Sequence, residues 1–407
     1  MPLKAEREVN MRKTTKRRLS SLLCAVLMLV TSIDVTAFAA ESKASTRKID
    51  VWDMGTVQEA DTDKYNNHIT AADWENCDNV SKDGKFVAGE TTFGDLTINH
   101  NANDRLFSAS GKNYGSNALA TTAYDDGYTA GGMYYCNGTG GETRRNVTIN
   151  NVIAGDKIVV YMASSNAATG TLVFKYLGED NEQVEKASFT NKGTKYEFVA
   201  KYSGSYKVYT DAAAGKPIYN RIVRIPGVAV SGTIDGAQLS GYKVMFKDEA
   251  NGITYDADIK GNTFTATLAA GCNYTAVLSG VAGYGFSNAT KNISTTVDEA
   301  LTGKSGVTLS IEEKKVYTYT GKVTGFAADY DTSNLSVKLV ADSSSLADDV
   351  ILKLDSEKAF TATLEPDVKY TVELIGVNDY EVLSGGEIIS QVSYSRDIEV
   401  SARRLYK

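Results

Sequence analysis

A chain that repeats itself folds each copy into the same unit, and the C-terminal part of this 407-residue chain does repeat itself. Phe264-Thr-Ala-Thr-Leu268 returns as Phe360-Thr-Ala-Thr-Leu364, Tyr274-Thr275 as Tyr370-Thr371, and Leu278 as Leu374. Gly280-Val281 returns as Gly376-Val377 and Tyr284 as Tyr380, every pair 96 residues apart. Earlier in each copy, Ser231-Gly232 to Gly236 matches Thr320-Gly321 to Gly325 at a spacing of 89. The second copy therefore carries an insertion of about seven residues, placed in 327–333. Alternating apolar positions and turn residues make each copy a small β-sandwich, with FTATL and YTxxL as paired core strands. The copies span 227–315 and 316–407. Lys314-Lys315-Val316-Tyr317 leads into the second copy and Arg403-Arg404-Leu405-Tyr406 repeats it at the end, so a further catalytic or anchoring domain is expected beyond Lys407.

Ahead of the repeats, Val147–Val152, Lys157–Ala163, Gly170–Tyr176, Tyr196–Lys201, Gly204–Thr210 and Tyr219–Ile225 read as strands separated by Gly, Asn and Asp turns. Such spacing is that of a sandwich or jelly roll. The expected fold class is all-β: a jelly-roll-like sandwich over 48–226, then two immunoglobulin-like sandwiches of the fibronectin III or carboxypeptidase-regulatory kind. Near its start Ile49, Val51 and Met54 alternate with polar residues. Tyr65–Thr70 reads as a loop, and Asp73-Trp74 as a short helical turn.

The N-terminus reads as an export signal over 1–40. Met11-Arg-Lys-Thr-Thr-Lys-Arg-Arg18 is basic, Leu19–Val30 is apolar, and Ala37-Phe-Ala-Ala40 offers small residues for cleavage. Met11 fits as the natural start, and 41–47 as a linker. Twelve apolar-biased residues are too few to span a bilayer, so no membrane span is expected after cleavage. Residues 1–40 hold seven Lys/Arg against three Asp/Glu, so the remainder carries −11 where the whole chain carries −7. That acidity argues against a nucleic-acid partner.

Catalytic chemistry finds little purchase. The two histidines, His68 and His100, lie in Asn-rich segments without a nucleophile motif, so no catalytic residue is assigned. Two histidines and scattered cysteines supply no zinc set, and no metal site or cofactor is expected. Asp61-Thr-Asp63 and Asp125-Asp126 leave structural calcium open beside the plainer reading of solvated turns. Gly138-Thr-Gly140-Gly141 lacks the lysine and helix of a phosphate loop. Of the cysteines beyond the leader, Cys77 and Cys136 offer a bridge in an export compartment; the alternative is that these two and Cys272 are buried free thiols.

What stands out is a concentration of aromatic and directional polar groups: Asp104, Arg105, Lys112, Tyr114, Tyr124, Asp125, Tyr128, Tyr134, Tyr135, Asn137, Arg144 and Arg145. Tyrosines stack on sugar rings, and arginine forks suit the carboxylates of a polyuronate. Arg105, Lys112, Tyr114, Tyr134, Tyr135, Asn137, Arg144 and Arg145 are the expected ligand contacts. Neighbouring Tyr134 and Tyr135 face opposite sides of a strand, so at least one of them belongs to the core.

The segments KIDVWDMG, KYNNHIT, DRLFSASGKNYG, MYYCNGTGG, GDKIVVYMASS and YSGSYKVYTDAAAGKPIYNRIVRIPGV together resemble a module of large secreted pectin-degrading enzymes of anaerobic gut Firmicutes, the pectate lyases and pectin methylesterases. There the module is a non-catalytic β-sandwich followed by immunoglobulin-like repeats and a catalytic β-helix. The resemblance covers about 48–226 and the repeats in kind; no β-helix is visible here. It implies a secreted carbohydrate-binding and spacer region whose partner is a plant cell-wall polysaccharide, a pectic one in particular. The alternative is an extracellular adhesin or structural stalk of sandwiches. An enzyme in its own right is the third reading.

Overall fold

The computed structural model describes residues 47–402 except 166–169, 180–181, 212–214, 282, 343–346, 348, 367 and 378. The export signal, Cys24 and Arg403–Tyr406 lie outside the described residues. The first sandwich is built from β1 (Ile49–Asp53), β2 (Tyr65–Asn67), β3 (Gly89–Phe93), β4 (Leu96–His100), β5 (Arg105–Phe107) and β6 (Met133–Tyr135). It continues with β7 (Asn146–Val152), β8 (Lys157–Ser164), β9 (Gly170–Tyr176), β10 (Val184–Phe189), β11 (Thr194–Val199), β12 (Gly204–Thr210) and β13 (Pro217–Ile225). One sheet runs β11-β8-β13-β1-β2, with β6 also paired to β13 and β5 to β6; the other runs β10-β9-β12-β7-β4-β3. A short helix, α1 (Ala71–Glu75), closes one end, capped by Thr70 and Asp73.

The all-β expectation holds, and burial explains the one pattern that sequence alternation misses. β1, β8 and β13 are buried at every position, because their sheet is covered on both faces. Ile158, Val160, Met162 and Ile222 enter the core between the two sheets with Trp52, Phe174 and Tyr206. Val159, Tyr161, Val223 and Ile225 face the other way. The indole of Trp52 spans the sandwich, donating to the Phe93 carbonyl at 2.7 Å. The register of β13 against β8 slips between Tyr219 and Arg221, so Asn220 is an extra, bulged residue. The bulge lets Tyr219 and Ile222, three positions apart, both reach the inner core. Tyr65–Asn67, read from sequence as loop, is a strand parallel to β1.

The repeats share one topology. In the first, Val228–Gly236 lies between Thr263–Leu268 and, in parallel, Lys304–Glu313; Lys243–Asp248 and Asn273–Ser279 are central in the facing sheet. In the second, Tyr317–Thr324 pairs with Ala359–Leu364 and, in parallel, with Ile398–Ala402, while Ser336–Ala341 and Lys369–Ile375 form the facing centre. FTATL and YTxxL therefore belong to opposite sheets. They share a core and not a hydrogen-bond ladder: Phe264 and Tyr274 belong to one apolar cluster, Phe360 and Tyr370 to another. The insertion folds onto its own repeat: its Tyr330 packs on Tyr380 at 4.6 Å between ring centroids, beside Phe326 at 4.7 Å.

The glycine shared at 236 and 325 has a physical cause. Both have φ of 102°, and a Cβ there would lie 2.3 Å from the Ile311 carbonyl oxygen in one repeat and 2.1 Å from that of Val400 in the other. The parallel neighbour passes too close for any side chain. Gly325→Ala is expected to cost about 2–3 kcal/mol. Gly241→Ala, at positive φ in open space, should cost about 1–2 kcal/mol. Urea unfolding of the whole chain, with Tyr319 and Tyr370 following the second repeat for Gly325→Ala and Tyr255 and Tyr274 the first for Gly241→Ala, measures the difference.

Candidate functional site

The residues expected to contact ligand divide by strand direction. Along β6, Met133 and Tyr135 face outward while Tyr134 and Cys136 point into the core. Tyr134 is fully buried between Phe86 and Tyr219, with ring centroids 5.3 and 5.9 Å away. Its hydroxyl donates to Asp104 Oδ2 at 3.1 Å. It is a core residue and cannot touch a ligand.

Arg145 is likewise internal. Its Nε donates at 2.7 Å to Oδ1 of Asp104, a carboxylate with no exposure, and that oxygen also accepts the Asn137 backbone N–H at 3.0 Å. The other oxygen, Oδ2, accepts from the Asn101 amide at 2.8 Å. Asp104 thus ties its own turn after β4 to both ends of the β6–β7 loop. Arg145 adopts φ of 49° and reaches under Gly138, where a Cβ would be 2.9 Å from the guanidinium. The Gly-rich turn is shaped around this arginine, which corrects its reading as a ligand contact. Arg144 is exposed, bonded to the Thr139 hydroxyl at 3.1 Å. Lys112 donates at 2.6 Å to the Cys77 carbonyl, tying its loop to the end of α1.

Four of the expected contacts do come together. Arg105 and Tyr135 are cross-strand partners on β5 and β6. The Arg105 guanidinium lies 4.7 Å from the centre of the exposed Tyr114 ring, and its Nε has no hydrogen-bond partner among the described residues. Phe107, two residues along on the same face, packs edge-on against both Tyr114 and Tyr135 at 5.5 and 6.2 Å. Lys216 sits 5.9 Å from the Tyr135 ring centre and donates at 2.8 Å to Asn137 Oδ1. The result is a partly exposed aromatic patch flanked by two cations. Phe107 was legible from its spacing to Arg105; Lys216, 79 residues from Asn137, had no sequence signal.

The bridge between Cys77 and Cys136 is not formed: Cys77, Cys136 and Cys272 are free. Cys136 is fully buried, which pushes its thiol well up, and Cys77 lies beside the Thr91 hydroxyl at 3.8 Å. The histidines are structural as well. His68 stacks on Trp52 and bonds Asp50 at 2.7 Å. Burial pushes His100 down, and its Nε2 meets the Thr91 hydroxyl at 2.8 Å. Asp61 accepts from the amides of Asp63 and Lys64, and Asp126 from the Tyr161 hydroxyl. Among the described residues, no group of three or more His, Cys, Asp and Glu is placed to hold a metal.

Removing the buried anion separates support from recognition. Asp104→Ala leaves the Arg145 charge unpaired and is expected to cost about 3–5 kcal/mol. Arg144→Ala, at an exposed position, should change stability by less than about 0.5 kcal/mol. Thermal unfolding of the two variants tests the contrast.

No protein-family model and no curated protein matches this chain. Among solved structures, the shaft pilin SpaA of Lactobacillus rhamnosus GG is similar at 13% identity and a TM-score of 0.20, over 44% of this chain and 100% of that one. GBS52, the minor pilin of Streptococcus agalactiae, is similar at 10% identity and a TM-score of 0.21, over 44% of this chain and 98% of its own. BiXyn10A CBM1 in its apo form is similar at 13% identity and a TM-score of 0.18, over 35% of this chain and 92% of its own.

Proposed function

We propose that this chain is a non-catalytic segment of an extracellular stalk, in which two repeats set the distance and orientation of a recognition sandwich. The observation that carries this is the junction between the first sandwich and the first repeat. β13 ends at Ile225 and the next strand starts at Val228, so Pro226-Gly227 is the entire connection. Val159, Val223 and Ile225 of the first sandwich belong to the same apolar cluster as Val228, Leu268, Ala269 and Tyr255 of the repeat. Asp156, with no exposure, accepts both terminal nitrogens of Arg47 at 2.8 and 2.7 Å and the Gly227 amide at 3.3 Å. Lys64 and Asp298 pair across the seam at 2.5 Å. An apolar seam with a two-residue connection resists bending, whereas domains joined by longer polar linkers move independently. The export signal read in residues 1–40 supports the extracellular setting.

Backbone amide relaxation of the isotopically labelled chain tests this. The first sandwich and the first repeat are expected to share one tumbling time, and Asp156→Ala should split it into two. Two tumbling times in the unaltered chain would sink the stalk reading.

A second reading, binding of an anionic plant-wall polysaccharide such as pectin, is favoured by the Arg105–Tyr114–Phe107–Tyr135–Lys216 patch. Aromatic faces between two cations suit a chain of uronate rings. On that reading, polygalacturonate in a native gel slows the chain, and Arg105→Ala with Lys216→Ala restores at least most of its mobility. Unchanged mobility of the unaltered protein counts against it.

A further inference from the structure

The outer face of the seven-stranded sheet carries a cleft of about 530 Å³, away from the β5–β6 patch and within the usual range of ligand pockets. Its floor is aliphatic, made by Val159 of β8 and Val223 and Ile225 of β13. Tyr65, Tyr128 and Tyr161 line it, and Val297 of the first repeat closes one side. From this geometry we infer that the cleft is a binding site for a neutral oligosaccharide.

Three features specify that ligand. Two of the three tyrosine rings are held in place before any ligand arrives. The Tyr128 hydroxyl donates to Asp53 and that of Tyr161 to Asp126, each at 2.7 Å, and the two rings meet edge to face at 4.9 Å. Rings whose rotamers are already fixed lose little entropy when a sugar stacks on them.

Next, a buried guanidinium backs the tyrosine wall. Arg221 is nine-tenths buried, its guanidinium 4.8 Å from the Tyr128 ring centre and its terminal nitrogen paired with Glu59. Its Nε has no acceptor among the described residues. The guanidinium lies against the Tyr128 and Tyr161 rings, so it braces the wall that a sugar would meet and is not spare for a charged ligand.

The charges then exclude an acidic glycan. Glu59, Asp126 and Glu197 stand against Lys195 and Arg221, and both cations are already engaged. Lys195 lies 3.0 Å from Glu197 and 3.5 Å from Asp126. A uronate carboxylate would face three anions and no free cation. Hydroxyl groups, in contrast, can donate to the rim carboxylates, while the apolar face of the ring covers the aliphatic floor. An all-apolar ligand would strip water from five charged groups and return nothing.

The Val297 wall rests on the fixed junction proposed above, so binding and tumbling are read on the same samples. The complete chain is run in native gels containing xyloglucan, galactomannan, mixed-linkage glucan or polygalacturonate, and dissociation constants are measured for oligosaccharides of whichever polymer retards it. At least one neutral polymer is expected to slow the chain. Val297→Arg, an exposed position that fills the cleft mouth without entering a core, should weaken binding at least tenfold with an unchanged unfolding midpoint and a single tumbling time. Tyr128→Ala should also weaken binding, with a lowered unfolding midpoint because the buried Asp53 loses its hydroxyl donor, and Arg105→Ala with Lys216→Ala should leave binding intact. The inference is overturned if no neutral polymer slows the chain, if Val297→Arg leaves binding intact, or if only polygalacturonate binds. Loss of binding accompanied by two tumbling times would instead point to failure of the junction.

Discussion

Burial of β8 and β13 on both faces organises this molecule. A strand with one wet face can alternate apolar and polar residues, but these two have none to spare. Their inner side chains need the second sheet of the first sandwich, and their outer ones need something else. Over part of their length that cover is the first repeat, through Val228, Leu268 and Ala269. Over another part it is a satellite cluster of Phe107, Met133, Ala163 and Ile218, roofed by the turn at Ala118–Thr121. Between these covers Tyr65, Tyr124 and Tyr128 pack over the sheet, and there the tyrosine-lined cleft lies. The stalk junction and the cleft thus have one cause: an apolar outer sheet face that its own sandwich does not fully cover.

Polar groups buried inside the first sandwich serve the same end. Arg224 donates to Asp50 at 2.9 and 2.7 Å and to Asp95 at 2.6 Å, so its charge ties β1 to the loop before β4. Burial works against the charge on Asp50, but the hydrogen bond from His68 and the guanidinium of Arg224 hold its carboxyl below the usual range. Asn220, exposed by the bulge to neither solvent nor the inner core, accepts from the Tyr124 hydroxyl and donates to the Gly132 carbonyl, both at 2.7 Å. Asp104 and Arg145 do this for the loops around β5 and β6. Such pairs add little net stability over a well-packed apolar substitute, yet removing one partner is costly. Their effect is to fix where loops lie, which both surface patches require.

The sequence determined the repeats and the strands, and the reason is local. Period-two burial and a fixed spacing of matching residues survive in the one-dimensional text, because each follows from neighbours a few positions apart. Gly236 and Gly325 show the limit of that reading: their identity is visible in the repeat, but the carbonyl oxygens of Ile311 and Val400 that forbid a side chain are 75 residues away in each case. The pairing of FTATL with YTxxL read from the sequence fails for the same reason, since alternation gives a strand its faces but does not say which sheet it joins.

Function was less legible, for a related reason. Tyr134 and Tyr135 are identical in sequence terms, and only the sheet's position between two covers sends one to the core and the other outward. Arg144 and Arg145 divide in the same way, because Asp104 lies 41 residues from the one it captures. Lys216 joins the aromatic patch, and Glu59, Tyr161 and Arg221 join the cleft, from segments with no shared motif. The sequence by itself determined an all-β chain of repeated sandwiches with aromatic and charged residues to spare. The tertiary structure alone decided which of those residues are cement and which are surface, because burial and pairing depend on contacts between strands far apart in the chain.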